Sequence, residues 1–262
     1  MEVPPYLLFT ICDETGNIVR ELRKKPAKGI NRVTWDLKYP STRPIEMKED
    51  KFNPFAKDQV GFPVMPGKYK MSFSKVINGA ATQLVGPTEF TVKVFENTTL
   101  PARERKALVE FQAKVAELTR VVQGAVKLTE ELLKSTTYIK QSLVNTPGGF
   151  TGLMDKTANI QSRLNEIDFA LKGHKAKASW EEVPPGHYPI ERRLLAIIYG
   201  QIRSSSKPSK TQLDSSDIVK EEITPMLEKL HKIAGEDLKN LEKEMEQASA
   251  PWTPGRVPEL KI

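Results

Sequence analysis

The chain offers few side chains whose type and spacing could do chemistry. His174, His187 and His231 are its three histidines; two fall in loops and one on a helix, at no spacing that matches a metal motif. They read as ordinary surface or partly buried histidines. Two adjacent carboxylate pairs, Glu130-Glu131 and Glu181-Glu182, have the residue types for acid and base roles in glycoside hydrolysis. The first pair lies on a charged helix face and the second in a proline-rich loop, so a solvated role is expected for both. Trp180, Tyr188 and Trp252 could stack on a sugar ring or fill the ends of a helical bundle. Of these uses the second is expected, with Trp252 packed on the bundle.

Cys12 is the only cysteine, which rules out an internal disulfide and a cysteine-rich metal site; it reads as a buried structural thiol ending an apolar strand. Glycine-rich phosphate loops and a Gly-x-Ser-x-Gly elbow are absent from the sequence. The residues alone thus designate no catalytic, cofactor-binding or metal site, and no cofactor is expected.

The net charge of +7 is spread over both halves. Its densest cluster, Arg20, Arg23, Lys24, Lys25 and Lys28, is expected on a turn between two strands. No aromatic residues interleave it, so a solvated loop is favoured over a phosphate-binding patch and no nucleic-acid partner is expected. No run of about 20 apolar residues occurs, so no membrane span is expected. Met1 to Thr10 lacks the pattern of a signal peptide.

The elements that would position these residues fall into two kinds. The most regular stretch is Leu108 to Leu143, where Phe111, Val115, Leu118, Val122, Ala125, Thr129, Leu132, Thr136, Ile139 and Leu143 alternate steps of three and four. That is one apolar seam on a helix from roughly Leu100 to Asn145, which needs other helices to cover it. Matching stripes follow at Leu153, Ile160, Leu164, Ile167 and Leu171, at Ile190, Leu194, Ile197 and Ile198, and at Val219, Ile223, Met226, Leu230, Ile233, Leu238, Leu241 and Met245. The spacing predicts helices over about 152–171, 189–203 and 209–248, with Ser209 as an N-cap and a kink near Glu221 caused by Pro225. An antiparallel bundle of about four helices is expected; if the second and third helices share a direction, it becomes three-layered.

Ahead of the helices, Tyr6 to Val94 reads as strands. Tyr6–Cys12 and Asn17–Leu22 flank an Asp-Glu-Thr-Gly turn; Asn31–Leu37 alternates so that Trp35 faces a buried side. Pro40 to Phe62 is a long loop; Lys68–Val76 and Ala81–Val85 flank Asn78-Gly79, and Glu89–Phe95 follows Gly86-Pro87. About seven short strands in about 90 residues argue for an immunoglobulin-like β-sandwich. The expected organisation is therefore α+β in two domains: a sandwich over 1–97, a helical bundle over 98–250 and an extended tail over 251–262. Asn97-Thr98-Thr99 reads as a helix cap in preference to an N-glycosylation sequon.

The segment Gly16 to Pro40, GNIVRELRKKPAKGINRVTWDLKYP, followed by Gly61 to Phe73, GFPVMPGKYKMSF, resembles the FlgD-type immunoglobulin-like domain near the C-terminus of bacterial sortilin-like BNR-repeat β-propeller proteins, often labelled glycosyl hydrolases. In that family a helical region follows the sandwich, and the chain ends near a motif like APWTPGR, here Ala250 to Arg256. The resemblance implies an extracytoplasmic, non-catalytic accessory module that braces the propeller or binds another protein, with homo-oligomers through the helices as a further option. The family's Asp-box repeats do not occur here, so no propeller residue can be carried over. Two rivals remain: a carbohydrate-binding module, which needs Trp35 facing solvent, and an autonomous glycoside hydrolase, which needs two acids converging in a cleft.

Overall fold

The computed structural model describes residues 4–45, 60–95, 102, 104–148, 151–175, 186–202 and 204–260. It is α+β, with a four-stranded antiparallel sheet and four helices. The chain divides into two compact units, Met1–Thr42, Met47–Ala116 and Ile202–Pro208 in one, and Arg43–Glu46, Glu117–Gln201 and Ser209–Ile262 in the other.

In the first unit, β1 (Tyr6–Asp13) and β2 (Ile18–Lys24) form the expected hairpin. Its turn is organised by the Asp13 carboxylate, which accepts hydrogen bonds from the Thr15 and Asn17 amides at 3.0 and 2.9 Å. Partial burial pushes the Asp13 carboxyl up, but the bonds from Thr15 and Asn17 outweigh it and hold the group below its ordinary value. Asn31–Leu37 makes no ladder. Its alternate burial persists as far as Trp35, but Leu37 is 44% exposed and left-handed, with φ of +58°. The backbone turns there, and the Leu37 carbonyl accepts from the Val64 amide at 2.9 Å. The ends of the expected Pro40–Phe62 loop instead pair as β3 (Lys38–Pro40) and β4 (Val60–Pro63). Gly61 is required in that pair, because a Cβ there would stand 2.5 Å from the Pro40 carbonyl oxygen. Residues 46–59 of the loop lie outside the described residues.

The hairpin of β5 (Gly67–Ile77) and β6 (Ala80–Val92) turns on Asn78 and Gly79, both with positive φ, as a two-residue turn between twisted strands requires. The two strands expected on either side of Gly86-Pro87 are one strand of 13 residues, and register shifts opposite Phe73 absorb the proline. The sheet order is β2-β1-β5-β6. One face carries Ile11, Leu22, Tyr69, Met71 and Phe90, which form a core with Val19 and Val64 and with Trp35 and Tyr39. Trp35 meets Tyr69 and Phe90 edge-on at 5.6 and 6.1 Å, and its indole N–H donates to the Lys38 carbonyl at 3.0 Å.

The helices are α1 (Arg105–Val144), α2 (Thr151–Lys172), α3 (Ile190–Ile202) and α4 (Lys210–Lys232), the last continuing through a π-helical turn (Ile233–Asp237) into a final segment, α5 (Leu238–Gln247). The expected start near Leu100 moves to Arg105, and the proposed cap at Asn97–Thr99 lies outside the described residues. Of the ten seam positions on α1, all are buried except Leu118 and Leu132, which are half-buried. Ser209 caps α4 as expected, in a reciprocal capping box with Gln212. Pro225 does not interrupt α4. The departure from α geometry comes eight residues later, at Ile233–Asp237, where the Leu238 amide donates to the Ile233 carbonyl. The reason is in the stripe itself: Ile233 to Leu238 is a step of five, which an α-helix would rotate away from the core and a π-turn does not.

Polar contacts within the second unit fix the helix directions. From Glu130 to Lys140 on α1, the partner on α2 retreats from Lys172 to Gln161, so α1 and α2 are antiparallel. Lys156 meets Glu244 and Arg163 meets Asp237, so α2 is antiparallel to the α4–α5 helix. Arg193 meets Glu222, and Gly200 abuts Gln212, so α3 is also antiparallel to α4. The second and third helices therefore share a direction. Gly173 and Pro189 are in van der Waals contact, since a Cβ on Gly173 would stand 2.5 Å from the Pro189 ring. The two helices meet end to start, so α2 and α3 form one interrupted column that contacts both α1 and the α4–α5 helix.

Candidate functional site

Several of the charged side chains singled out in the sequence are spent on contacts within the chain. Glu130 accepts from Lys172 at 2.8 Å and Lys127 at 3.2 Å, and the Lys172 hydrogen bond leads in holding its carboxyl below the ordinary value. A carboxylate held ionised in this way is no proton donor at neutral pH. Its neighbour Glu131 is exposed. Lys172 also pairs with Asp168 at 2.8 Å; burial alone would lower its ammonium, but these two carboxylates together raise it. Glu181 and Glu182 lie outside the described residues.

The three histidines do not meet. His174 stands edge-on to Phe169 at 4.7 Å, His187 places Nε2 3.5 Å from Glu222, and His231 is exposed on α4. Among the described residues no group of three or more His, Cys, Asp or Glu could hold a metal ion. Cys12 is half-buried where a buried thiol was expected; it pairs with Lys70 across the sheet, on the face opposite Ile11.

The aromatic platform is not assembled. Tyr188 lies under Arg192 and Arg193, beside the first turn of α3, where Glu191 accepts from Gln123 of α1. Trp252 belongs to a tail whose Pro251 carbonyl accepts from Ser142 of α1. Positions 123 and 142 of one helix are about 28 Å apart at ~1.5 Å per residue. Trp180 lies outside the described residues. Trp252 is also not packed on the bundle: it is 59% exposed, and its indole N–H donates to the Arg256 carbonyl at 2.6 Å. Trp35, which a sugar-binding sandwich would present to solvent, is half-buried, with its ring edge-on to Tyr69 and Phe90.

The basic cluster is placed differently from expectation. Arg20, Arg23 and Lys24 lie within β2, an edge strand of the sheet, and only Lys25 and Lys28 follow it. The Arg23 guanidinium covers the Tyr6 ring at 5.1 Å, and Lys24 donates to the Arg32 carbonyl at 2.6 Å. Charge along an edge strand opposes pairing with another sheet, which gives the cluster a structural use.

Two features escaped the sequence reading. The first is the set of ion pairs between columns, with Arg163 and Asp237 at 2.6 Å and Lys156 and Glu244 at 2.6 Å. Single charges on solvated helix faces carry no signal of their partners. The second is the tail. Thr253-Pro254-Gly255-Arg256 closes a turn with the Arg256 amide donating to Thr253 at 3.2 Å and Gly255 at φ of +97°, the arrangement that a Pro-Gly pair favours. The turn buries Thr253 and the Arg256 side chain, and Arg256 reaches Glu246 at 3.0 Å and the carbonyls of Ala250 and Pro251. Pro-Gly after the last helix was the available signal for a turn, but burial of an arginine was not readable from it.

No family model matches the chain, and no curated protein or solved structure matches it either. Among the described residues no helix is long and apolar enough to cross a membrane.

Proposed function

We propose that this chain is a non-catalytic accessory module, an immunoglobulin-like sandwich with a helical domain that braces a larger extracytoplasmic β-propeller protein or holds a partner protein, a second copy included. The sandwich part is supported by the placement of Tyr39 and Val64, from β3 and the β4–β5 connection, over the apolar face of the four-stranded sheet. The family part rests on the resemblance of Gly16–Pro40, Gly61–Phe73 and Ala250–Arg256. The observation that carries the non-catalytic reading is the pairing of Glu130 with Lys172 and Lys127. Glu130, a member of the one carboxylate pair among the described residues that the sequence offers for acid–base work, is tied between two columns as a structural ion.

An immunoblot of source cells with an antibody raised against this chain tests the reading. A band several times the 29.5 kDa of the chain is expected. A band at that mass would sink the brace reading, because no propeller would then be attached.

A further inference from the structure

The tail after the last helix is held by an unusual concentration of contacts for a chain end. Its Pro251 carbonyl accepts from Ser142 of α1 at 2.6 Å and also from the Arg256 guanidinium at 2.9 Å. The same guanidinium donates to the Ala250 carbonyl and lies 3.0 Å from the Glu246 carboxylate, with the Arg256 side chain only 5% exposed. Beyond it, the Glu259 amide donates to Glu246 at 3.1 Å. Glu242, one helical turn before Glu246, has its carboxyl pushed up by burial and pulled back by the Arg256 and Lys239 charges. One side chain therefore joins the final helix, the tail and, through Pro251, the last turn of α1. Removing it would strip bonds from the final helix and the tail and leave the Pro251 carbonyl held by Ser142 of α1 alone.

We infer that residues 250–256 form a clasp that opens as one unit about Arg256, and that its opening frees the last turn of α1 while the remainder of the three columns stays folded. Segments that share their bonds in this way open cooperatively below the free energy of global unfolding. The π-turn sets the reach of the clasp: it rotates α5 so that Leu241 and Met245 are buried, which directs the Glu242–Glu246 side toward the tail.

Hydrogen exchange of the full chain, read by mass spectrometry, tests this with Arg256→Gln and Arg256→Lys. In Arg256→Gln, exchange is expected to rise about tenfold or more, together, in peptides covering 139–146 and 245–259, with 190–202 and 212–223 unchanged. Arg256→Lys keeps a positive charge but loses the rigid Nε–Nη2 edge that reaches Glu246 and the two carbonyls at once, so an intermediate rise is expected. Adding Ser142→Ala to wild type should release 139–146 and make that segment indifferent to Arg256. A rise spread through all columns, or one confined to 250–259 with 139–146 unmoved in Arg256→Gln, would overturn the clasp. Helical circular dichroism on each variant separates a local opening from a failure to fold.

Discussion

The two regions of this molecule bury their residues by different means. The sheet closes a small core with rings: Tyr69 stacks on Phe90 across the β5–β6 ladder, and Trp35 stands edge-on to both. The helical columns use long aliphatic stripes, with Val122, Leu143, Leu164, Ile167, Leu171, Leu194, Ile233 and Met245 all at most 2% exposed and ion pairs spaced along their seams. A core of a few large rings is specified by individual geometry and polar handles. A stripe is specified by its period, and its members are interchangeable until one is removed.

The largest effect that tests this contrast is expected at Leu164, which is fully buried in α2. Leu164→Ala should destabilise the protein by about 2–5 kcal/mol, the range for such a truncation in a packed core. Met71, only half-buried beneath the ring cluster, should lose less on the same change. Urea unfolding followed by circular dichroism for the first and Trp35 fluorescence for the second measures both. Equal losses would erase the distinction between the two cores.

A smaller effect should come from the Tyr69 hydroxyl, which donates to the Met65 carbonyl at 2.5 Å. Burial, reinforced by Tyr39, Asp13 and Glu14, pushes the phenol up to about 12 from an ordinary value of 10. A group that binds its proton more tightly when folded contributes stability that is present below the unfolded pKa and is lost as pH rises through the folded one. Sheet stability should therefore fall between pH 10 and about 12, while Tyr69→Phe, weaker by about 1 kcal/mol at neutral pH, should lose that alkaline slope. An unchanged slope in Tyr69→Phe would assign the alkaline loss to other groups, and Tyr39, also raised by burial, would be the next to replace.

Period was legible in the sequence and partnership was not. The seam on α1, the Ser209 cap and the Asn78-Gly79 turn all follow from local spacing or local chemistry. The step of five from Ile233 to Leu238 is visible too, yet local chemistry points to Pro225 for the irregularity. Proline removes one amide and can be absorbed on a solvated face, where Pro225 is exposed; a stripe out of phase would turn Leu238, Leu241 and Met245 away from the core. The burial demand prevails. Deleting Gly235, exposed within the π-turn, should convert it to an α-turn and leave stability nearly unchanged. Deleting Lys220 in regular α4 should put the rest of the stripe out of phase and be far more damaging. The shared direction of α2 and α3, in contrast, is fixed only by their contacts with α4 and α5, far away in sequence.

The smallest expected effect bears on the ion pairs. Arg163 and Asp237 are 2.6 Å apart, with side chains 30% and 23% exposed. At such exposure solvent screens most of the Coulomb attraction, so Arg163→Ala should cost no more than about 1 kcal/mol, and less in high salt. Their value lies in direction and register: Lys156 with Glu244 and Arg163 with Asp237 match in one antiparallel alignment of the columns, and sliding one helix by a turn would break both. Reversing one charge in Arg163→Asp should therefore weaken the protein more than Arg163→Ala does, by repulsion from Asp237. The double exchange Arg163→Asp with Asp237→Arg should restore most of the loss. A double-mutant cycle on thermal unfolding measures the coupling. A coupling near zero, with the double exchange no better than the single reversal, would mean that the stripes alone set the register of the columns.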